Sequence, residues 1–128
     1  MDDAIEISQS RFRTGTIDAT ATGATTIFTT DPESRSRKFI VTRAVIRLVN
    51  VNTLTIPPII SIGTNSSTYN NIIAATTLTS ALTDTQFQGT ILAAAPVVAS
   101  GTAIKVNVST GATATACTFA VDLWGYYA

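Results

Sequence analysis

The chain has 128 residues, enough for one domain, and its 8 basic and 8 acidic side chains give a formal net charge of zero. It has no His and one Cys, which excludes Ser-His-Asp and Cys-His catalysis, an imidazole metal ligand, an internal disulfide and a thiolate zinc cage. Charged residues are only 12% of the chain, and without a basic excess it lacks the footprint of a general nucleic-acid binder.

The opening Met1-Asp2-Asp3-Ala4 is acidic where a secretory signal is basic, so export by a signal peptide is not expected. Residues 4–8 and 11–17 read as short strands or an extended arm. Residues 1–20 are therefore assigned to an N-terminal arm or edge strands, and 21–128 to the main domain. Helix signals are nearly absent along the whole chain. Thr, Val and Ile dominate, and their branched Cβ atoms suit a pleated surface. Residues 25–30 hold Ile27 and Phe28 before an Asp31-Pro32 turn.

The clearest run is 38–51. Ile40, Thr42, Ala44, Ile46 and Leu48 make the expected core face, with Arg43 and Arg47 on the other side, about 13 Å apart in a regular strand. A straight strand of this length is about twice the usual one, so it must bend, bulge or change sheets. Pro57-Pro58 cannot donate ladder hydrogen bonds, which places the next strand at 59–62. A loop at 63–67 follows, then 69–78 as a strand or a helical turn. A strand at 86–93 comes before Pro96. The longest apolar run, 91–98, is too short to span a bilayer.

The last two runs are equally plain. Ile104, Val106 and Val108 alternate with Lys105, Asn107 and Ser109, and Cys117, Phe119, Val121 and Leu123 alternate with Thr118, Ala120 and Asp122. The turn residues at 109–112 between them predict a hairpin. About eight strands in two sheets predict an all-β jelly-roll sandwich of antiparallel strands with an extended N-terminal arm. An immunoglobulin-like sandwich is the alternative, although the Cys…Trp…Cys signature is missing.

The zero net charge hides a block pattern. Residues 1–34 carry Asp2, Asp3, Glu6, Asp18, Asp31 and Glu33 against Arg11 and Arg13. Residues 35–47 carry Arg35, Arg37, Lys38, Arg43 and Arg47 without an acid, and 48–128 carry only Asp84, Lys105 and Asp122. Strands so poor in charge suit burial against neighbours. Plain Thr-rich soluble strands are the other reading. The basic cluster reads either as an anchoring patch for an acidic partner, such as the acidic arm of a neighbouring copy, or as an edge strand charged against unwanted pairing. Trp124, Tyr126 and Tyr127 suit a subunit interface, core filling or stacking on sugars.

Chemistry is thinly represented. Asp84 and Asp122 are the carboxylates available for a glycosidase-like pair, and solvated or turn positions are the plainer reading of both. No calcium loop and no phosphate loop occurs. Asn65-Ser66-Ser67 and Asn107-Val108-Ser109 match the glycosylation sequon, as chance allows in a chain rich in Ser and Thr.

The segments Arg37-Lys38-Phe39-Ile40-Val41-Thr42-Arg43, Ile60-Ser61-Ile62-Gly63-Thr64-Asn65, Tyr69-Asn70-Asn71-Ile72-Ile73 and Phe119-Ala120-Val121-Asp122-Leu123-Trp124-Gly125-Tyr126-Tyr127 follow one another in a characteristic order. In this, 37–127 resembles the jelly-roll capsid cement (decoration) proteins of tailed bacteriophages. The resemblance implies a homotrimer on the outer surface of an icosahedral head, bridging major capsid subunits. It implies a virion component assembled in the host cytoplasm, with no catalysis and no cofactor; from the residues themselves no metal, no membrane and no nucleic-acid partner is expected. The residues expected at its protein-partner interface are Arg35, Arg37, Lys38, Arg43, Arg47, Trp124, Tyr126 and Tyr127. A carbohydrate- or receptor-binding module of a tail fibre or tailspike is the second functional class.

Overall fold

A computed structural model describes residues 10–33, 37–92 and 97–128. The strand expected at 4–8, Arg35, and the end of the 86–93 run lie outside the described residues. Ten strands form: β1 (Ser10–Arg13), β2 (Ile17–Asp18), β3 (Gly23–Thr29), β4 (Phe39–Asn52), β5 (Ile59–Gly63), β6 (Ile73–Thr77), β7 (Gln86–Gln88), β8 (Val97–Val98), β9 (Ala103–Thr110) and β10 (Ala116–Tyr127). No helix occurs among the described residues.

Sheet A runs β1-β10-β4-β7, with β2 also on β10 and β8 also on β4; sheet B runs β3-β9-β5-β6. Every pairing is antiparallel. β1 and β2 act as one interrupted strand, as do β7 and β8. The pairs β1·β10, β3·β9, β4·β7 and β5·β6 then nest around the β5–β6 connection, like the rungs of one long hairpin. Rolling that hairpin up adds β10·β4 and β9·β5. This is the jelly-roll winding, and it excludes the immunoglobulin-like alternative.

Alternation builds the core. Cys117, Phe119, Val121 and Leu123 of β10 face Ile104, Val106 and Val108 of β9 and Ile60 and Ile62 of β5 across the sandwich, all of them buried. The inward-facing aromatics continue to one end. Phe12 stacks on Phe28 at 3.6 Å between ring centroids, and Phe39 meets Phe12, Phe28 and Tyr127 at 5.8, 5.1 and 5.2 Å. This group ties β1, β3, β4 and β10 together.

β4 solves its length problem with two bulges. Against β10, Val41 pairs with Gly125 but Arg43 with Trp124, which leaves Thr42 as the extra residue. Val49 is skipped in the same way between Leu48 and Asn50. Each extra residue flips the strand's faces. Phe39 and Val41 therefore point inward ahead of the first bulge, and Ala44, Ile46 and Leu48 after it. Of the expected core face, Ile40 and Thr42 are the two that do not reach the core.

The expected hairpin of 103–110 with the last strand does not form. β9 and β10 belong to opposite sheets, and 111–115 crosses between them. The crossing is pinned by Ala112 N–H donating to the Ala19 carbonyl at 2.8 Å and Thr113 N–H donating to the Ile56 carbonyl at 2.9 Å. Both strands carry a fully apolar face, so they bury more by packing face to face than by pairing edge to edge. β6 starts only at Ile73, after the 64–72 loop, and β7 spans three residues of the longer run expected there.

Candidate functional site

Residues directly opposite in an antiparallel pair point to the same side of the sheet. The register of sheet A therefore fixes what its outer face displays. One row reads Arg11–Trp124–Arg43 across β1, β10 and β4. The next reads Arg13–Asp122–Val45–Gln88, and a third Ala120–Arg47–Gln86. Toward the end of the sheet comes Tyr126–Ile40–Val97.

The face is rich in arginine and sparing with acid. The Arg43 guanidinium carbon lies 4.5 Å from the centroid of the Trp124 ring. Arg13 Nε donates to Asp122 at 2.8 Å, and that bond and the opposite charge raise the arginine's already high pKa. Arg47 donates to Asp84 at 3.2 Å from the turn that precedes β7. Asp84 holds a left-handed backbone there, at φ 68°. Both ion pairs are at the surface, where such pairs add little stability. They orient side chains more than they secure the fold.

The two candidate carboxylates thus each serve an arginine. Among the described residues no group of three or more His, Cys, Asp or Glu side chains stands together. Cys117 is buried; desolvation pushes its thiol pKa up, and the nearby negative charge of Asp18 adds to the effect. A thiol in that state is a poor nucleophile.

The structure brings Arg43, Arg47, Trp124 and Tyr126 onto one face. β4 lies between β10 and the β7/β8 pair, so its arginines stand on the face of a central strand. This overturns the edge-strand reading of the basic cluster. Arg37 lies at the end of the sheet, its guanidinium carbon 5.6 Å from the Tyr127 ring centroid. Lys38 exchanges two backbone hydrogen bonds with Ala128 there. Tyr127 points inward, packs on Phe39, and its hydroxyl accepts from the Asp31 N–H at 2.7 Å. The three terminal aromatics therefore do not form one stacking platform. Arg11 and Arg13 belong to the face but were not among the expected interface residues. The alternation Arg11-Phe12-Arg13 was the available signal, with Phe12 inward and both arginines outward.

Sheet B's outer face is different in kind. The 64–72 loop folds over it and is held by its own asparagines. Asn65 Oδ1 accepts from the Asn70 N–H at 2.9 Å and Asn65 Nδ2 donates to Asn70 Oδ1 at 2.8 Å; Asn71 Oδ1 accepts from the Thr64 N–H at 2.8 Å. The loop approaches so closely that a Cβ on Gly63 would lie 2.6 Å from the Asn70 backbone nitrogen. Beside it opens a neutral groove of about 370 Å³ lined by Ser61, Ser67, Thr68, Asn70, Asn107 and Ser109. Both sequon asparagines are engaged here, Asn107 Nδ2 donating to the Thr68 carbonyl at 3.3 Å. A second cleft of about 400 Å³, lined by Ile46, Ile73, Phe87 and Leu92, lies between β6 and β7.

No protein-family description matches the chain, and no curated protein does. Solved structures do match in fold. A chain of the acidic stable capsid structure of Helicobacter pylori bacteriophage KHP30 superposes with a TM-score of 0.68 at 10% identity, covering 94% of this chain and 90% of that one. A chain of the capsid of Ralstonia phage GP4 gives 0.64 at 16% identity over 98% and 87%. One of the cyanophage Pam1 capsid asymmetric unit gives 0.62 at 21% identity over 94% and 84%. The jelly roll described above is thus a fold that this chain shares, over nearly its full length, with chains found in phage capsids.

Proposed function

We propose that this protein is a capsid cement (decoration) protein. It binds the outer surface of an icosahedral phage head as a homotrimer and stabilises contacts between major capsid subunits. The observation that carries this reading is the fold likeness, at TM-scores of 0.62 to 0.68, to three chains from phage capsid structures. The outer face of sheet A supports it: arginine-rich, partly aromatic and backed by a rigid core, it suits an acidic protein surface. The proposed partner-facing residues are Arg43, Arg47, Trp124 and Tyr126 on that face, Arg37, Lys38 and Tyr127 at its end, and Arg35 from the sequence. Repetition over a lattice lets modest single contacts add up, and binding the assembled state stabilises it by mass action. Purified protein mixed with shells that lack it tests this. Co-sedimentation and a raised shell disruption temperature are expected; an unchanged disruption temperature with no co-sedimentation would refute the role.

A glycan-binding module is the second reading, and the neutral groove beside the 64–72 loop favours it. Hydroxyl and amide side chains are suited to polyhydroxylated ligands, and the volume falls in the range of small-ligand sites. Reproducible hits on a glycan array, lost in Asn70→Ala and Asn107→Ala variants, would support it over the first reading.

A further inference from the structure

We propose that the Arg11–Trp124–Arg43 row receives the acidic segment 1–9 of a second copy of this chain. The row is a built feature of sheet A. Arg11 and Arg43 stand on strands flanking β10 and therefore lie about 10 Å apart, with Trp124 between them. Both arginines are exposed, and Arg43 lies against the indole. Their neighbours Arg13 and Arg47 already hold Asp122 and Asp84. Beyond those two carboxylates the face carries no acid in its four rows. A partner that neutralises Arg11 and Arg43 must bring its own.

Residues 1–9, Met-Asp-Asp-Ala-Ile-Glu-Ile-Ser-Gln, supply what the row lacks. Asp2, Asp3 and Glu6 are the only charged side chains in the segment, and Ile5 and Ile7 offer apolar surface for an indole. Chain direction favours a second copy over the same one. β1 runs from Ser10, opposite Gly125, to Arg13, opposite Asp122. β1 thus runs into the row from the side of the C-terminal end of β10. Return to its own row would need a reversal of chain direction ahead of Ser10. Reaching an adjacent copy needs none. Copies exchanging segments head to tail form a ring when the rotation between them closes.

Trp124 is the chain's one tryptophan, so its emission reports this site alone. The test uses the full-length protein over a wide dilution series, with mass by sedimentation velocity and Trp124 fluorescence read together at low and high salt. A mass above the 13.4 kDa chain is expected, falling on dilution or added salt while the Trp124 emission shifts in step. The triple variant Asp2→Lys, Asp3→Lys, Glu6→Lys and the double variant Arg11→Glu, Arg43→Glu should each associate at least about tenfold more weakly. Combining all five substitutions in one chain should restore both signals. Recovery in that chain also shows that the substitutions leave the fold intact.

A wild-type chain that stays at 13.4 kDa at every concentration would overturn the proposal. So would association that neither variant weakens, or a chain with all five substitutions that folds but does not recover. Emission that responds to the triple variant but not to dilution would place the segment on its own copy's face instead. These measurements use free protein, so their failure and that of shell binding are separate results.

Discussion

Arg43 and Trp124 are direct cross-strand partners on β4 and β10, and the guanidinium carbon sits 4.5 Å from the indole centroid. The contact exists because a bulge at Thr42 turns Arg43 outward while Phe39 and Val41 stay in the core. An exposed cation–π pair contributes about 0.5–1 kcal/mol. A double-mutant cycle of Arg43→Ala and Trp124→Ala, followed by urea unfolding with far-UV circular dichroism, should return a coupling energy of that size. Independent effects of the two substitutions would remove the pair from the account of this face.

Phe39 holds one end of the sandwich. Its ring touches Phe12, Phe28 and Tyr127, which come from three other strands, and it is fully buried. Phe39→Ala should cost about 3–5 kcal/mol, a large part of the total for a domain of this size. Equilibrium unfolding should show a much lower midpoint, with Phe39→Leu falling in between.

Gly125 lies beneath that ring. A Cβ there would meet the Phe39 ring carbons, with Cε2 at 2.5 Å, and the Ile40 carbonyl oxygen at 2.5 Å. The backbone oxygen cannot swing away as a flexible side chain could. Gly125→Ala should therefore destabilise by about 1–3 kcal/mol through overpacking, read as a lowered thermal midpoint. Gly15, which has open space around its position, serves as the control: Gly15→Ala should change the midpoint far less.

The buried Cys117 thiol gives a pH dependence with a definite sign. Its folded pKa is raised, chiefly by desolvation, so the unfolded chain ionises first as pH rises. Its contribution to stability is complete below the ordinary thiol value of about 8.5 and is lost as pH climbs through it toward the folded value. Stability should decline on that alkaline side in the wild type, and Cys117→Ala should flatten the decline. The native thiol should also resist a thiol reagent that reacts at once in denaturant.

The parts of the fold legible in the sequence were those that obey one period. β10 alternates without interruption from Cys117 to Leu123, and its inward set is the one observed. β4 was legible as a long strand that had to bulge. The position of the bulge was not, because both faces around Phe39, Ile40 and Val41 are apolar and no Gly or Pro marks the extra residue. The β9–β10 connection was not legible for a related reason. Five residues suit a hairpin as well as a crossing between sheets, and only the opposing sheet decides. Arg43, Arg47, Trp124 and Tyr126 could be named as interface candidates from residue type. That Arg11 and Arg13 join them depends on β1 pairing with β10, across more than a hundred residues of chain.

The central claim is that this jelly roll works lodged on a phage shell. An electron cryo-microscopy reconstruction of shells incubated with the purified protein tests it most directly. Regularly repeated jelly-roll density is expected on the outer surface, contacting the major capsid subunits. Bare shells at saturating protein, with every copy left in solution, would contradict it.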